Sequence, residues 1–200
     1  GIDWIPQQNN EGEYTGTYAG IDVPYGQKES GQGSGSGYTG SGFHYLDRVD
    51  RGQPEDMFSI DWKIDDTWNS RRPEDPEVHL RLTMLNEVDE VALADGEPPQ
   101  NRPNAPEAIR YMIAERTGEN LQSTFSSVIE PYAGERFVTS IQPLQVKTVN
   151  NTIAGDLVQA IKVKLTSGRT DYIVYSLDKE SLFVVNDEFQ FQGFFGVFTK

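Results

Sequence analysis

Alternation with a period of two runs through most of this chain and limits what it can fold into. In "MFSIDWKI", Phe58, Ile60, Trp62 and Ile64 share one side, and Ser59, Asp61 and Lys63 share the other. In "EVHLRLTM", Val78, Leu80, Leu82 and Met84 alternate with His79, Arg81 and Thr83. Successive side chains of a strand point to opposite faces, so this pattern predicts strands with one face buried and one face wet. "LVQAIKVKLTSGRTDYIVYSLDKESLFVV" carries three further runs, joined at Ser167-Gly168 and Asp178-Lys179. Short strands joined by short turns read as antiparallel hairpins. "NAPEAIRYMIAER" has a plausible helix start, but Ile109, Tyr111 and Ile113 alternate there too, and it reads as a strand. The expectation is an all-β antiparallel sandwich of two packed sheets. Phe58, Ile60, Trp62, Leu80, Leu82, Ile161, Val163 and Leu165 are expected in its core.

The 200 residues suffice for a core without disulfides. The stretch Gln27–Gly42, "QKESGQGSGSGYTGSG", reads as a flexible loop. It divides residues 1–42, an N-terminal arm and loop packed on or part of the same domain, from the sandwich at 43–200. The closing segment "EFQFQGFFGVFTK" reads as one aromatic strand that needs cover on both sides. The natural polypeptide is therefore expected to continue, or something else to cover that edge.

Charge excludes several functions. Thirty-one acidic against 17 basic residues give a net charge of −14, and no basic cluster exceeds Arg71-Arg72. A nucleic-acid partner is not expected, and densely sulfated glycans are repelled. No apolar run is long enough to span a membrane. The absence of cysteine removes thiolate chemistry and leaves the compartment open.

Candidate sites are few. His44 and His79, the two histidines, read as outward residues of separate strands and are too few for a three-histidine zinc site. Asp61, Asp65 and Asp66 lack the spacing of a calcium loop, so neither a metal nor a cofactor is expected. Trp62 belongs to the core. Trp68, beside Asp65, Asp66 and Asn69 in a turn, has the setting of a carbohydrate site, where a ring stacks on a sugar and polar neighbours bond its hydroxyls. The alternative is an aromatic lid over the sheet end. In "STFSSVIEPYAGERF", Glu130 precedes Pro131 and is held extended, which suits a strand-to-turn corner whose carboxylate accepts backbone N–H bonds. No catalytic residue is assigned.

Several phrases together, "GSGYTGSGFHYLDRV", "FSIDWKI", "HLRLTMLN", "DEVALADGEPPQN" and "STFSSVIEPYAGERFVTSI", resemble the C-terminal region of bacterial heparinase II/III-like proteins. The resemblance implies a β-sandwich that follows an N-terminal (α/α) toroid in a secreted or cell-surface polysaccharide lyase. It also implies a polysaccharide or oligosaccharide as ligand and the toroid as partner. No stretch matches a catalytic Tyr or His motif of that family, so the chain by itself is expected to be inactive. An independent carbohydrate-binding module, or a purely structural domain, is the alternative.

Overall fold

The structure is a computed structural model that describes residues 1–26, 42–99 and 103–200. Apart from Gly42, the loop expected at Gln27–Gly42 lies outside them. The first strands are β1 (Ile5–Pro6), β2 (Leu46–Gly52), β3 (Phe58–Lys63), β4 (Val78–Met84), β5 (Glu90–Gly96), β6 (Ile109–Glu115) and β7 (Ser127–Ala133). They are followed by β8 (Val138–Pro143), β9 (Val146–Thr148), β10 (Val158–Leu165), β11 (Thr170–Ser176), β12 (Phe183–Val185), β13 (Phe189–Phe191) and β14 (Phe195–Thr199). The fold is all-β and antiparallel, as the alternation requires. Its strands lie in four sheets, ordered β1-β2-β5-β6, β3-β4-β7, β14-β11-β10-β8 and β13-β12-β9. Among the described residues no helix is long and apolar enough to cross a membrane.

The chain divides into two compact units. The first comprises Gly1–Ile60, Asp65–Asp75 and Glu87–Leu121. Its core is Val49 of β2 with Ala92 and Ala94 of β5, closed over by Tyr18, Leu46 and Ile113. Small residues on β5 let its neighbours approach: a Cβ on Gly96 would fall 2.8 Å from the Tyr111 ring and 2.9 Å from Leu46. The arm is bonded along β2, with Gln7 N donating to Val49 O (2.8 Å) and Tyr18 N to Leu46 O (2.7 Å). Between Asp47 and Asp50 one extra residue bulges out of β2, and Arg48 takes a left-handed φ of 47°. Arg110 of β6 satisfies the displaced carbonyl, donating from Nη1 to Arg48 O (2.7 Å) and to Asp95 (2.9 Å) while also pairing with Asp50.

His44 departs from the expectation. It lies in a 3-10 turn, Gly42–Tyr45, and is fully buried, its ring centre 4.1 Å from that of Tyr45. Strand parity assigns no side in such a turn, so alternation misplaced it.

The second unit comprises Asp61–Ile64, Pro76–Asn86 and Gln122–Lys200. Its main core joins Leu144, Val146, Val158, Ala160, Tyr172, Val174, Phe183 and Val185. Pairing of β10 with β11 sets Ala160 opposite Val174 and Ile161 opposite Ile173. Hence the core face of β10 carries Val158 and Ala160, whereas Ile161 and Leu165 are half-buried on the reverse and Val163 is buried there. The expected inward set was therefore only partly right. Phe58 and Ile60 are buried, but Leu80, Leu82 and Trp62 are half-buried. The sheet containing β10 is partly covered on both faces, so its larger side chains do not mark a single inside.

The Ser167-Gly168 turn joins β10 to β11 as expected, with Gly168 at φ 87°. By contrast, the C-terminal aromatic segment forms two strands in different sheets: β13 pairs with β12 and β14 with β11. They separate around Gly193, whose φ of 139° favours glycine.

Candidate functional site

The turn after β3 places the expected carbohydrate residues in the first unit. Trp68 is 57% exposed, and Asp65 and Asn69 are exposed beside it. Asp66 is turned inward, where its carboxylate accepts from Ser70 Oγ (2.9 Å) and from the Arg71 N–H (2.8 Å). The Asn69 N–H donates to Asp66 O (3.1 Å), and Asn69 takes φ 51°, a conformation asparagine tolerates. The backbone N–H of Ser70, then that of Arg71, holds the Asp66 carboxyl below its ordinary value. Asp66 thus builds the turn, leaving Trp68, Asp65 and Asn69 to face solvent.

Trp62 has the opposite setting. Its indole N–H is buried without an acceptor among the described residues, as suits a core ring and not a sugar platform.

Glu130 sits on β7 and is 2% exposed. One carboxylate oxygen accepts from Arg136 Nε (2.9 Å) and Nη2 (2.7 Å), and the other from the N–H groups of Phe137 (3.0 Å) and Val138 (2.8 Å). The backbone N–H bonds expected of Glu130 are present, with the arginine added, but Glu130 is no strand-to-turn corner: β7 continues through Pro131 to Ala133, and the carboxylate reaches across the following turn to the start of β8.

The pairing of β4 with β7 assembles a polar group that sequence reasoning did not join. His79 stands opposite Tyr132 and Arg81 opposite Glu130. The rings of His79 and Tyr132 stack at 5.0 Å and 14°. Asp61 of β3 lies 2.9 Å from His79 Nδ1, and its other oxygen accepts from Tyr132 Oη (2.8 Å) and Arg81 Nη1 (3.2 Å). Burial pushes the Asp61 carboxyl up, but bonds from Tyr132, His79 and Arg81 outweigh it and leave the group below its ordinary value. The bond to Asp61 raises the Tyr132 hydroxyl. His79 Nε2 points towards Glu77, 3.9 Å away, and Glu77 is itself paired with Lys63. His79 is therefore half-buried in a network and is not the plain surface residue expected. The group has the composition of an acid–base site, but its bonds run mainly among its own members, and only Arg81 Nε is left buried without an acceptor among the described residues of the group. Asp61, His79 and Arg81 were each legible as wet-face residues; what was missing was that β4 pairs with β7 across two intervening strands.

A further feature is an aromatic cleft of about 270 Å³ in the second unit, lined by Tyr172, Val174, Phe189, Phe191, Gly196 and Phe198. It lies between the edge strands β13 and β14.

Comparison with models of known protein families gives no match, and the search of curated proteins gives none of significance.

Proposed function

We propose that this chain is a non-catalytic β-sandwich module that packs against a larger catalytic body. The observation that carries this reading is the apolar face of the second unit turned away from its core. Pairing sets Tyr175 opposite Phe195 and Ile173 opposite Val197, with Gln159 and Ile161 continuing the same face on β10. On it Phe195 is 60% exposed and Val197 55% exposed, with Tyr175 and nearby Phe125 also exposed. A module that only binds sugar needs one or two rings in a groove. A continuous aliphatic and aromatic face is what an interface uses.

The resemblance of the sequence phrases to heparinase II/III-like proteins suggests the body: the (α/α) toroid of a polysaccharide lyase, which the module stabilises or whose cleft it completes. The test is made on the full polypeptide encoded by the gene. Phe195→Glu with Val197→Glu should lower lyase turnover there, yet leave the melting of the isolated chain unchanged. If the gene encodes no helical body beside this chain, or if the double variant leaves turnover intact, the reading fails.

The second reading is an independent carbohydrate-binding module. The exposure of Trp68 between Asp65 and Asn69 favours it.

A further inference from the structure

Strand register brings two lysines to one end of the aromatic cleft. Lys162 of β10 lies opposite Tyr172 of β11, and Tyr172 lies opposite Phe198 of β14. Lys200, two residues beyond Phe198, projects from the same face. Both ammonium groups converge on Tyr172, at 5.0 Å (Lys162) and 5.2 Å (Lys200) from its ring centre, and Lys200 is also 5.5 Å from that of Phe198. Phe189 packs on Tyr172 and Phe198 at this end, and the opposite part of the cleft is apolar, walled by Val174, Gly196 and Phe191. Gly196 lets the Phe191 ring pack close over β14 as a wall of the cleft, because a Cβ there would fall 2.8 Å from that ring.

The charges at this end do not cancel. Glu188 pairs with Lys162 (3.7 Å) and accepts from the Tyr172 hydroxyl (2.9 Å). Lys200 acts on Glu188 only at longer range and has no carboxylate at ion-pair distance among the described residues. One cation is thus left over beside an apolar cavity, on a chain whose net charge is −14. A polyanion would be repelled by the rest of the molecule and a cation by the lysines. A neutral ligand would leave the spare charge unused.

We propose that this cleft binds a small amphipathic monoanion, a carboxylate carried on a ring or short alkyl chain. Its apolar body occupies the cavity between Phe189, Phe191 and Phe198, and its carboxylate meets Lys200 and Lys162. At about 270 Å³ the cavity lies just below the usual range for small-molecule sites, about 300–1,000 Å³, and suits a ligand of roughly a dozen non-hydrogen atoms.

The test titrates the protein with 4-phenylbutyrate, 4-phenylbutanol and 4-phenylbutylammonium, followed by calorimetry and by backbone amide shifts. The acid should bind with Kd on the order of 0.1–1 mM and move the amides of β13 and β14. The alcohol should bind at least about fivefold more weakly, and the ammonium more weakly still. Lys200→Gln, an exposed change that leaves the fold alone, should erase the preference for acid over alcohol. Gly196→Val should displace the Phe191 ring that walls the cavity and abolish binding of both; if that variant does not fold, Phe198→Ala takes its place and should weaken both. The proposal is overturned if the acid does not bind at several times about 1 mM, or if the alcohol or ammonium matches it. It is equally overturned if Lys200→Gln keeps the preference, if the cavity variant keeps the affinity, or if the shifts fall on the Phe195 and Val197 face instead.

Discussion

A carboxylate that is 2% exposed and accepts from Arg136, Phe137 and Val138 has no lone pairs left for a substrate. Glu130 ties mid-β7 to the start of β8, and its energetics follow from what each substitution strands. Glu130→Ala leaves two N–H groups without an acceptor, one of them on buried Val138, and releases the guanidinium. It should cost about 2–4 kcal/mol in urea denaturation, between the cost of an unsatisfied buried donor and that of a broken buried pair. Glu130→Gln keeps a carbonyl for the two N–H groups but turns its amide NH2 towards Arg136, losing both bonds from a guanidinium that water can still reach, so its loss should be smaller. Equal losses would place the stability in the ion pair alone. Asp61 makes a different prediction, in pH. Its folded pKa lies below its ordinary 3.8, so the folded state binds the proton less readily than the unfolded one. The stabilisation is present above the unfolded value and disappears as pH falls through the folded value. Asp66, Asp171 and Asp178 are shifted in the same direction, so only a difference isolates Asp61. Between about pH 5 and pH 2 the wild type should lose more stability than Asp61→Asn does. Parallel pH profiles would show that the His79–Tyr132–Arg81 network contributes no stability through this charge.

At the scale of elements, the turn carrying Trp68 is a rigid platform because Asp66 ties Ser70 and Arg71 to it. If the chain binds a glycan at this turn, the ligand is neutral or weakly anionic, since Asp65 and Asp66 repel sulfates. Tryptophan fluorescence should report binding on the order of 0.1–1 mM, and Trp68→Ala should remove it. Asp66→Ala should weaken it too, although Asp66 touches no ligand, by loosening the turn. Affinity that survives both changes puts the sugar elsewhere. The strands themselves were readable in the sequence wherever alternation is strict: β3, β4, β6, β10 and β11 fall on the quoted runs. Which face is inside was less readable. On β10 the small Ala160 packs in the core, while the larger Ile161 lies on the other side. Beyond the β10–β11 hairpin, pairing partners were not readable, because β4 joins β7 and β8 joins β10 without being neighbours in sequence. For that reason the Trp68 turn, contained in five residues, was visible, whereas Asp61, His79, Arg81 and Tyr132 came together only through the sheet. The aromatic cleft was hidden for a related reason: its walls come from β11, β13 and β14, and the last two read as one strand.

For the whole molecule, two opposed properties meet. A net charge of −14 keeps copies of the chain apart, while Phe195 and Val197 on one face of β14 are exposed, as are Phe194 and Phe198 in the same segment. At neutral pH and low salt the repulsion acts over a Debye length of about 10 Å or more and should keep the isolated chain monomeric. Near its isoelectric point, pH ≈ 4.5, that repulsion vanishes and the apolar face governs association. Light scattering should therefore show monomer at pH 7 and growing association as pH approaches 4.5, with high salt at pH 7 moving partway in the same direction. Phe195→Ser with Val197→Ser should suppress that association without changing the charge, because both side chains lie on the exposed face and neither belongs to the core. The aromatic cleft supplies a control: Lys200→Gln makes the chain more acidic and leaves the outer face intact, so it should shift the onset of association slightly downward in pH and no more. Association that ignores the serine pair would mean that the surface of β14 and β11 is not the sticky one. The proposed docking of this module on a catalytic body would then lose the observation that supports it.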